Sequence, residues 1–352
     1  MLLVTILSIL FLKIFGNNLN EGMKWKAKQI LPIITVQKWD MIMKNRIRNP
    51  IPFFILFIIH SILFGFSIYK SKNKNRKLLF VLFSTNMGFA YLLEYVVLNL
   101  FKGYRYKPKV MKKNIFDNIV GAVLSQGIFL PFTAVFLTVI NSGWKLKLLV
   151  GTYFSLIEEL FLRLGVYHHY WWKTTYTFLL TPIYFKLSDD WYKWLYKRNP
   201  IVQFISFFFI IMITETNLFF ILAIFRKVKF GFGRHHTWAE HFKILPLFSI
   251  SFALFAAVIF RIKNNIIAKM VVVLFTVSCS RLLKRLKIAK SGFYGTEPLI
   301  LRILMSGVYG KIGEWIYEES KHNENKDLIN LDVDNDWYMG VTYFHWFYYC
   351  LK

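Results

Sequence analysis

Residues 201–225 read IVQFISFFFIIMITETNLFFILAIF, an almost unbroken apolar run with one acid, Glu215, inside it. A helix of that length rises roughly 35 Å, at about 1.5 Å per residue, and the hydrocarbon of a bilayer is roughly 30 Å thick. Hydrocarbon offers no water to peptide groups, so a continuous apolar run of this length closes its hydrogen bonds within itself, as a helix. Alternation of apolar and polar residues, the sign of a membrane β-strand, is missing.

The same reading extends in both directions. Apolar runs at 51–69, 78–101, 119–141, 148–165, 171–187, 244–262 and 266–283 join 201–225 as candidate spans, each set off by a short basic or Gly/Asn/Pro-marked turn. The fold class is therefore all-α, a polytopic transmembrane helix bundle of about eight spanning helices. The segment 171–187 is the most polar, with Lys173 and Pro182. If it crosses, the loops 24–48, 102–113, 166–173, 226–243 and 281–290 share one face. They carry more Lys and Arg than 70–77, 142–147, 186–198 and 261–269 on the other. The positive-inside rule then places the first set, and with it the C-terminus, in the cytoplasm of a cell-membrane protein.

Composition agrees. Of 352 residues, 56% are hydrophobic and 19% aromatic, with 37 Phe. Soluble domains hold about 45–50% apolar residues. The formal charge of +26 comes from basic residues lying between apolar runs, where they meet anionic lipid headgroups. The lipid bilayer is the expected partner and nucleic acid is not. The two cysteines, Cys279 and Cys350, have no metal-ligand spacing, and no cofactor is expected. No phosphate-binding loop, dinucleotide fingerprint or nucleophile elbow occurs.

Three parts follow. Residues 1–50 hold a short apolar run, MLLVTILSILFLKIF, and a basic segment with Trp25 and Trp39 suited to the membrane surface. Residues 51–283 form the bundle. Residues 284–352 are expected as a cytoplasmic tail, rich in Gly, then acidic, then aromatic. Asp332, Asp334 and Asp336 resemble the start of a calcium loop. However, Trp337 stands where that loop turns on Gly, and Tyr343 where it needs a bidentate Glu, so no calcium site is expected.

Charges inside spans are costly, and each needs a reason. Glu94, Glu158, Glu159 and Glu215 fall within apolar runs. In Glu158-Glu159-Leu160-Phe161-Leu162-Arg163, Glu159 and Arg163 are four apart and share a helix face, while Glu158 points about 100° away. One glutamate is thus neutralised and the other is left to act as a base. The string resembles the EExxxR motif of the CAAX-protease and bacteriocin-processing family. Phe232-Gly233-Arg234-His235-His236 resembles that family's FxxxH, and His241 follows. The resemblance implies Glu158 as the water-activating base, Glu159 and Arg163 in support, and His236 and His241 as partners. The family's HxxxN-type motif is absent.

Two weaker patterns complete the list. His235, His236, Glu240 and His241 have residue types that hold divalent ions, but no HExxH string occurs. His168 and His169, beside Trp171 and Trp172, read as an interfacial belt. Over 117–192, Ser125-Gln126, Asn141 with Trp144, IEELFLRLG at 157–165 and YHHYWWKT at 167–174 resemble multi-pass membrane proteins of endospore-forming Firmicutes that have no established activity. That resemblance implies a bacterial membrane and a structural or interaction role. Two alternatives stand beside it: an intramembrane hydrolase built on Glu158, and a permease whose Glu94, Glu158 and Glu215 converge on one cavity.

Overall fold

The computed structural model describes residues 50–324, apart from 72, 233–234, 263–264 and 292–296. The expected N-terminal anchor, Trp25, Trp39, Cys350 and the acidic and aromatic C-terminal stretches lie outside the described residues.

The helices are α1 (Pro50–Lys70), α2 (Asn73–Glu94), α3 (Asn114–Leu124), α4 (Leu130–Val139), α5 (Trp144–Arg163), α6 (Thr174–Tyr196), α7 (Pro200–Ile224), α8 (Trp238–Ile262), α9 (Asn265–Arg285) and α10 (Glu297–Glu324). Two π-helical turns interrupt them. One, Tyr95–Leu100, prolongs α2, and the other, Ser125–Phe129, joins α3 to α4 in a single rod. Four three-residue strands lie between helices: β1 (Tyr104–Tyr106), β2 (Tyr167–His169), β3 (Val228–Phe230) and β4 (Ala289–Ser291). Six helices are long and apolar enough to cross a membrane: α1, α2 with its π turn, the α3–α4 rod, α7, α8 and α9. The chain is a polytopic helical membrane protein. Phe54, Ile58 and Ile62 of α1 are exposed, as a lipid-facing surface requires.

Strand pairing fixes the parity of the remaining helices. β1 pairs antiparallel with β2, so the end of α2, the start of α3, the end of α5 and the start of α6 share one end of the bundle. Because the α3–α4 rod crosses, α5 must bring the chain back. Tyr95 and Asn99, at the end of α2, donate to the carbonyls of Lys243 (3.0 Å) and Phe242 (3.1 Å). The start of α8 therefore lies at that same end, and α6 must cross away from it before α7 returns. α5 and α6 match the expected spans 148–165 and 171–187, although both carry more charge than the other spans.

The chain folds as two like halves. α2, the α3–α4 rod, α5 and α6 are followed by α7, α8, α9 and α10 in the same order, with a strand after the first and third member of each set. Tyr104, Arg105 and Tyr106 face His169, His168 and Tyr167, just as Val228, Lys229 and Phe230 face Ser291, Lys290 and Ala289. Beyond each ladder one more bond repeats, Lys107 N–H to Val166 O (2.8 Å) and Gly231 N–H to Ile288 O (2.9 Å). The last amide of each leading strand is held by a side chain from the next helix. Tyr106 N–H donates to Asn118 Oδ1 (2.7 Å), and Phe230 N–H to His241 Nδ1 (3.1 Å). α1 precedes this duplicated unit and packs chiefly on α4.

The halves meet where α2 crosses α7. Gly88 allows this, because a Cβ there would lie 2.4 Å from the Phe209 ring. Around the crossing, Leu79, Leu82, Phe207, Ile210 and Ile211 are fully or almost fully buried. Residues 297–317, expected in the tail, lie instead against the bundle as the first part of α10. Arg302 Nη1 donates to Glu215 Oε1 (2.8 Å) and Oε2 (2.7 Å), and Tyr309 OH donates to Oε1 (2.7 Å). Further along, Gln203 Nε2 reaches Ile316 O (3.1 Å), so α10 runs antiparallel to α7 from the strand end to the opposite end. Its polarity hid it: in place of a continuous apolar run it carries Arg302, which neutralises Glu215.

Two outcomes test this architecture. Arg302→Leu leaves Glu215 buried without a counter-ion and lowers stability by about 3–5 kcal/mol in a denaturation series, and adding Glu215→Leu restores most of it. With Cys279 and Cys350 replaced by serine, single cysteines at Lys109 and Arg198 label from opposite faces of the membrane.

Candidate functional site

In α5, Glu159 and Arg163 pair as the spacing predicts, with Nε 3.2 Å from Oε1, and both are exposed, at 46% and 75%. They sit on the outside of the bundle. Glu158 turns inward, with only 10% of its side chain exposed. Thr177 of α6 donates its hydroxyl to Glu158 Oε2 and accepts from Trp172 Nε1 at 3.0 Å. His169 Nε2 lies 2.8 Å from Glu158 Oε1, a contact of opposite charges when the ring is protonated but not an aligned hydrogen bond.

β2 delivers His169, and β1 brings the rest. Alternate residues of a strand share a face. Tyr104 and Tyr106 on β1 therefore stand beside Tyr167 and His169 on β2, and three phenol rings cluster with centroids 4.9–5.5 Å apart. Gly121 lets α3 close on this cluster, since a Cβ there would lie 2.3 Å from that of Tyr106. Tyr104 donates its phenol proton to Glu94 Oε2, behind the cluster. Burial pushes the phenols of Tyr104, Tyr106 and Tyr167 well above the ordinary tyrosine value, so all three stay protonated.

Glu158, Thr177 and the three tyrosines border a cavity of about 140 Å³. Its polar wall is Glu158, Gln126, Ser125 and Thr177, and its aromatic wall includes Phe53, Phe161, Trp172 and the three tyrosines. A second cavity, of about 70 Å³, lies between the halves against Glu94, Asn99, Thr216 and Pro246. Both π turns lie here: one begins after Glu94, and the other contains Ser125 and Gln126. Such turns recur at functional sites because they re-aim side chains within a helix. No protein donor among the described residues reaches Glu94 Oε1 or Gln126 Oε1, although both are buried.

The other expected partners lie elsewhere. His236 bonds to the carbonyls of Lys287 (2.8 Å) and Lys229 (3.3 Å). His241 holds the Phe230 amide and stacks on its ring. Both fasten the second strand pair, and neither lines the cavity of Glu158. Glu240 completes a capping box, accepting from Thr237 N–H (2.8 Å) while its own N–H donates to the Thr237 hydroxyl (3.1 Å). Among the described residues, no three His, Cys, Asp or Glu gather as metal ligands. Glu215, fully buried and held by Arg302 and Tyr309, is remote in its bonding from Glu94 and Glu158, so the three acids do not converge on one cavity.

Sequence reasoning missed His169 and the tyrosines. The signal was present in Tyr104-Arg105-Tyr106 and Tyr167-His168-His169, two alternating triplets, once each is read as a strand. No family model, no curated protein and no solved structure matches the chain.

Proposed function

We propose that this membrane protein binds a small molecule in the cavity around Glu158, with its strand end facing the cytoplasm. The observation that carries this reading is the contrast between the halves. The second strand pair has the same register as the first, yet it puts Val228, Phe230 and Ala289 where the first has Tyr104, Tyr106 and Tyr167. By its place before the closing turn of the third helix, Ser280 stands in the second half for Glu158. The fold thus forms without this polarity. A polar network the fold does not require, set beside a cavity and two π turns, is better explained by a ligand than by stability. This reading replaces a purely structural or interaction role.

The orientation rests on Lys102, Arg105, Lys107, Lys109, Lys112 and Lys113 between α2 and α3, and on Arg226, Lys227 and Lys229 after α7, all at the strand end. Because α10 leaves that end, its far end lies on the opposite side from the strand pairs in this proposal. The resemblance to Firmicutes membrane proteins supports a bacterial cell membrane as the location. A second reading, hydrolysis with Glu158 as base, draws on the Glu158–His169 contact, with His169 in the role expected for His236 and His241.

Native mass spectrometry of the purified chain tests the binding reading. A bound molecule is expected with the wild type and with Glu159→Gln. Its occupancy should fall at least tenfold in Glu158→Gln and in Ala90→Phe, which fills the cavity. If the network serves only the fold, no variant carries a bound molecule and Glu158→Gln costs about 1–3 kcal/mol of stability. A bound molecule released in altered form by the wild type and unaltered by Glu158→Gln would favour hydrolysis.

A further inference from the structure

We infer that the cavity takes the head of a primary-ammonium amphiphile, a conclusion that rests on the binding reading above and names its ligand class. Charge points first to a cation. Glu158 lines the cavity, Glu94 stands one phenol behind it, and no Lys or Arg lines it. His169 is the basic group in contact with Glu158. A phosphate or carboxylate would enter facing Glu158 with no fixed counter-charge.

Hydrogen bonding narrows the cation. Gln126 Oε1 is a buried acceptor without a protein donor, and Glu158 Oε1 has only the misaligned His169 contact. Tyr104 has one proton, and it is already given to Glu94. The phenols of Tyr106 and Tyr167 keep protons of their own, so the discriminating feature is the pair of acceptors left open, Glu158 Oε1 and Gln126 Oε1. A primary ammonium carries three N–H donors and no acceptor, which matches that pair, whereas a quaternary ammonium has no N–H at all. The phenol and indole faces add attraction for either cation.

Size and surroundings supply the rest. A cavity of about 140 Å³ is close to the roughly 150 Å³ that accommodates a benzene-sized body, so the head has on the order of six heavy atoms. Phe53 and Leu56 of α1 close one side, and the opposite face of α1 is exposed apolar surface. One helix, lying outside the duplicated unit, thus separates the site from lipid. A ligand with an apolar tail can place its head at Glu158 and its tail along α1. Two sources fit this chemistry, a free long-chain amine and the aminoethyl head of a phospholipid.

Calorimetric titration of the full chain in phosphatidylcholine nanodiscs tests the class, with hexylamine, hexyltrimethylammonium and hexanoate as probes and empty nanodiscs subtracted. Hexylamine is expected to bind saturably, at least tenfold more tightly than hexyltrimethylammonium, with no saturable hexanoate signal. Glu158→Gln should weaken hexylamine at least tenfold, and Glu159→Gln should not. Nanodiscs containing phosphatidylethanolamine separate the sources: loss of hexylamine binding there marks the lipid head, and unchanged binding marks a free amine. Equal affinity for the two cations, or saturable hexanoate binding, overturns the inference. If all three probes fail while a molecule lost in Glu158→Gln still co-purifies, the ligand class is wrong and the binding site stands. If nothing co-purifies and nothing binds, both fall.

Discussion

Every peptide group in this protein must find a partner without help from water over most of its length, and that requirement organises the bundle from the helix ends inward. Five helices close in the same way, with a residue of positive φ at Asn141, Gly165, Arg226, Arg198 or Lys287. In each, that residue's amide and the next return to carbonyls of the last turn, as in Arg226 N–H to Ala223 O (2.9 Å) and Lys227 N–H to Leu222 O (2.8 Å). Outside glycine this conformation costs roughly 1–2 kcal/mol. Three of the five residues are Lys or Arg, which suit both a helix C-terminus and a headgroup layer. The short strands finish the task, pairing backbone that would otherwise leave the helices unbonded.

The same demand explains the joint between the halves. Pro246 cannot bond to the Phe242 carbonyl one turn earlier in α8. Asn99 takes that carbonyl and Tyr95 takes the next, both from the π turn that ends α2. A proline in the second half is thus satisfied by an irregular turn in the first, and the halves are bonded as well as packed. Elsewhere the buried charges come with partners. Lys147 lies 2.6 Å from Asp189 and also donates to Ser142. Breaking such a pair is far costlier than having never buried it.

This explains what was legible in the sequence. Apolar length reveals a span, so α1, α7, α8 and α9 are readable at once, and the Glu159–Arg163 pair follows from spacing along one helix. α10 was not readable in that way, because a helix that shields Glu215 with Arg302 and Tyr309 has no long apolar run to announce it. The strand pairs join residues far apart in sequence, and three residues are too few for alternation to stand out. Hence His169 was missed as the partner of Glu158. His236 and His241 match a motif in letters, while their chemistry is to hold amides and carbonyls of β3 and its neighbours. The duplication is illegible in the sequence for a related reason: it is kept in register and hydrogen bonding, where Tyr104 and Val228 are interchangeable.

Comparing the halves therefore sorts the acids by purpose. Glu215 has two charge-assisted bonds and a phenol, which is full compensation for a carboxylate with no exposed surface. Glu159 needs none, since it faces outward beside Arg163. Glu94 and Glu158 lie between these cases, buried enough to be costly, with donors too few or misaligned to offset that cost. The second half shows that the architecture does not need Glu158, because Ser280 stands in its place and apolar side chains replace the three tyrosines in the corresponding strands. A cost that the fold has a way to avoid, and that one half alone retains, is the ground on which the proposed binding site rests.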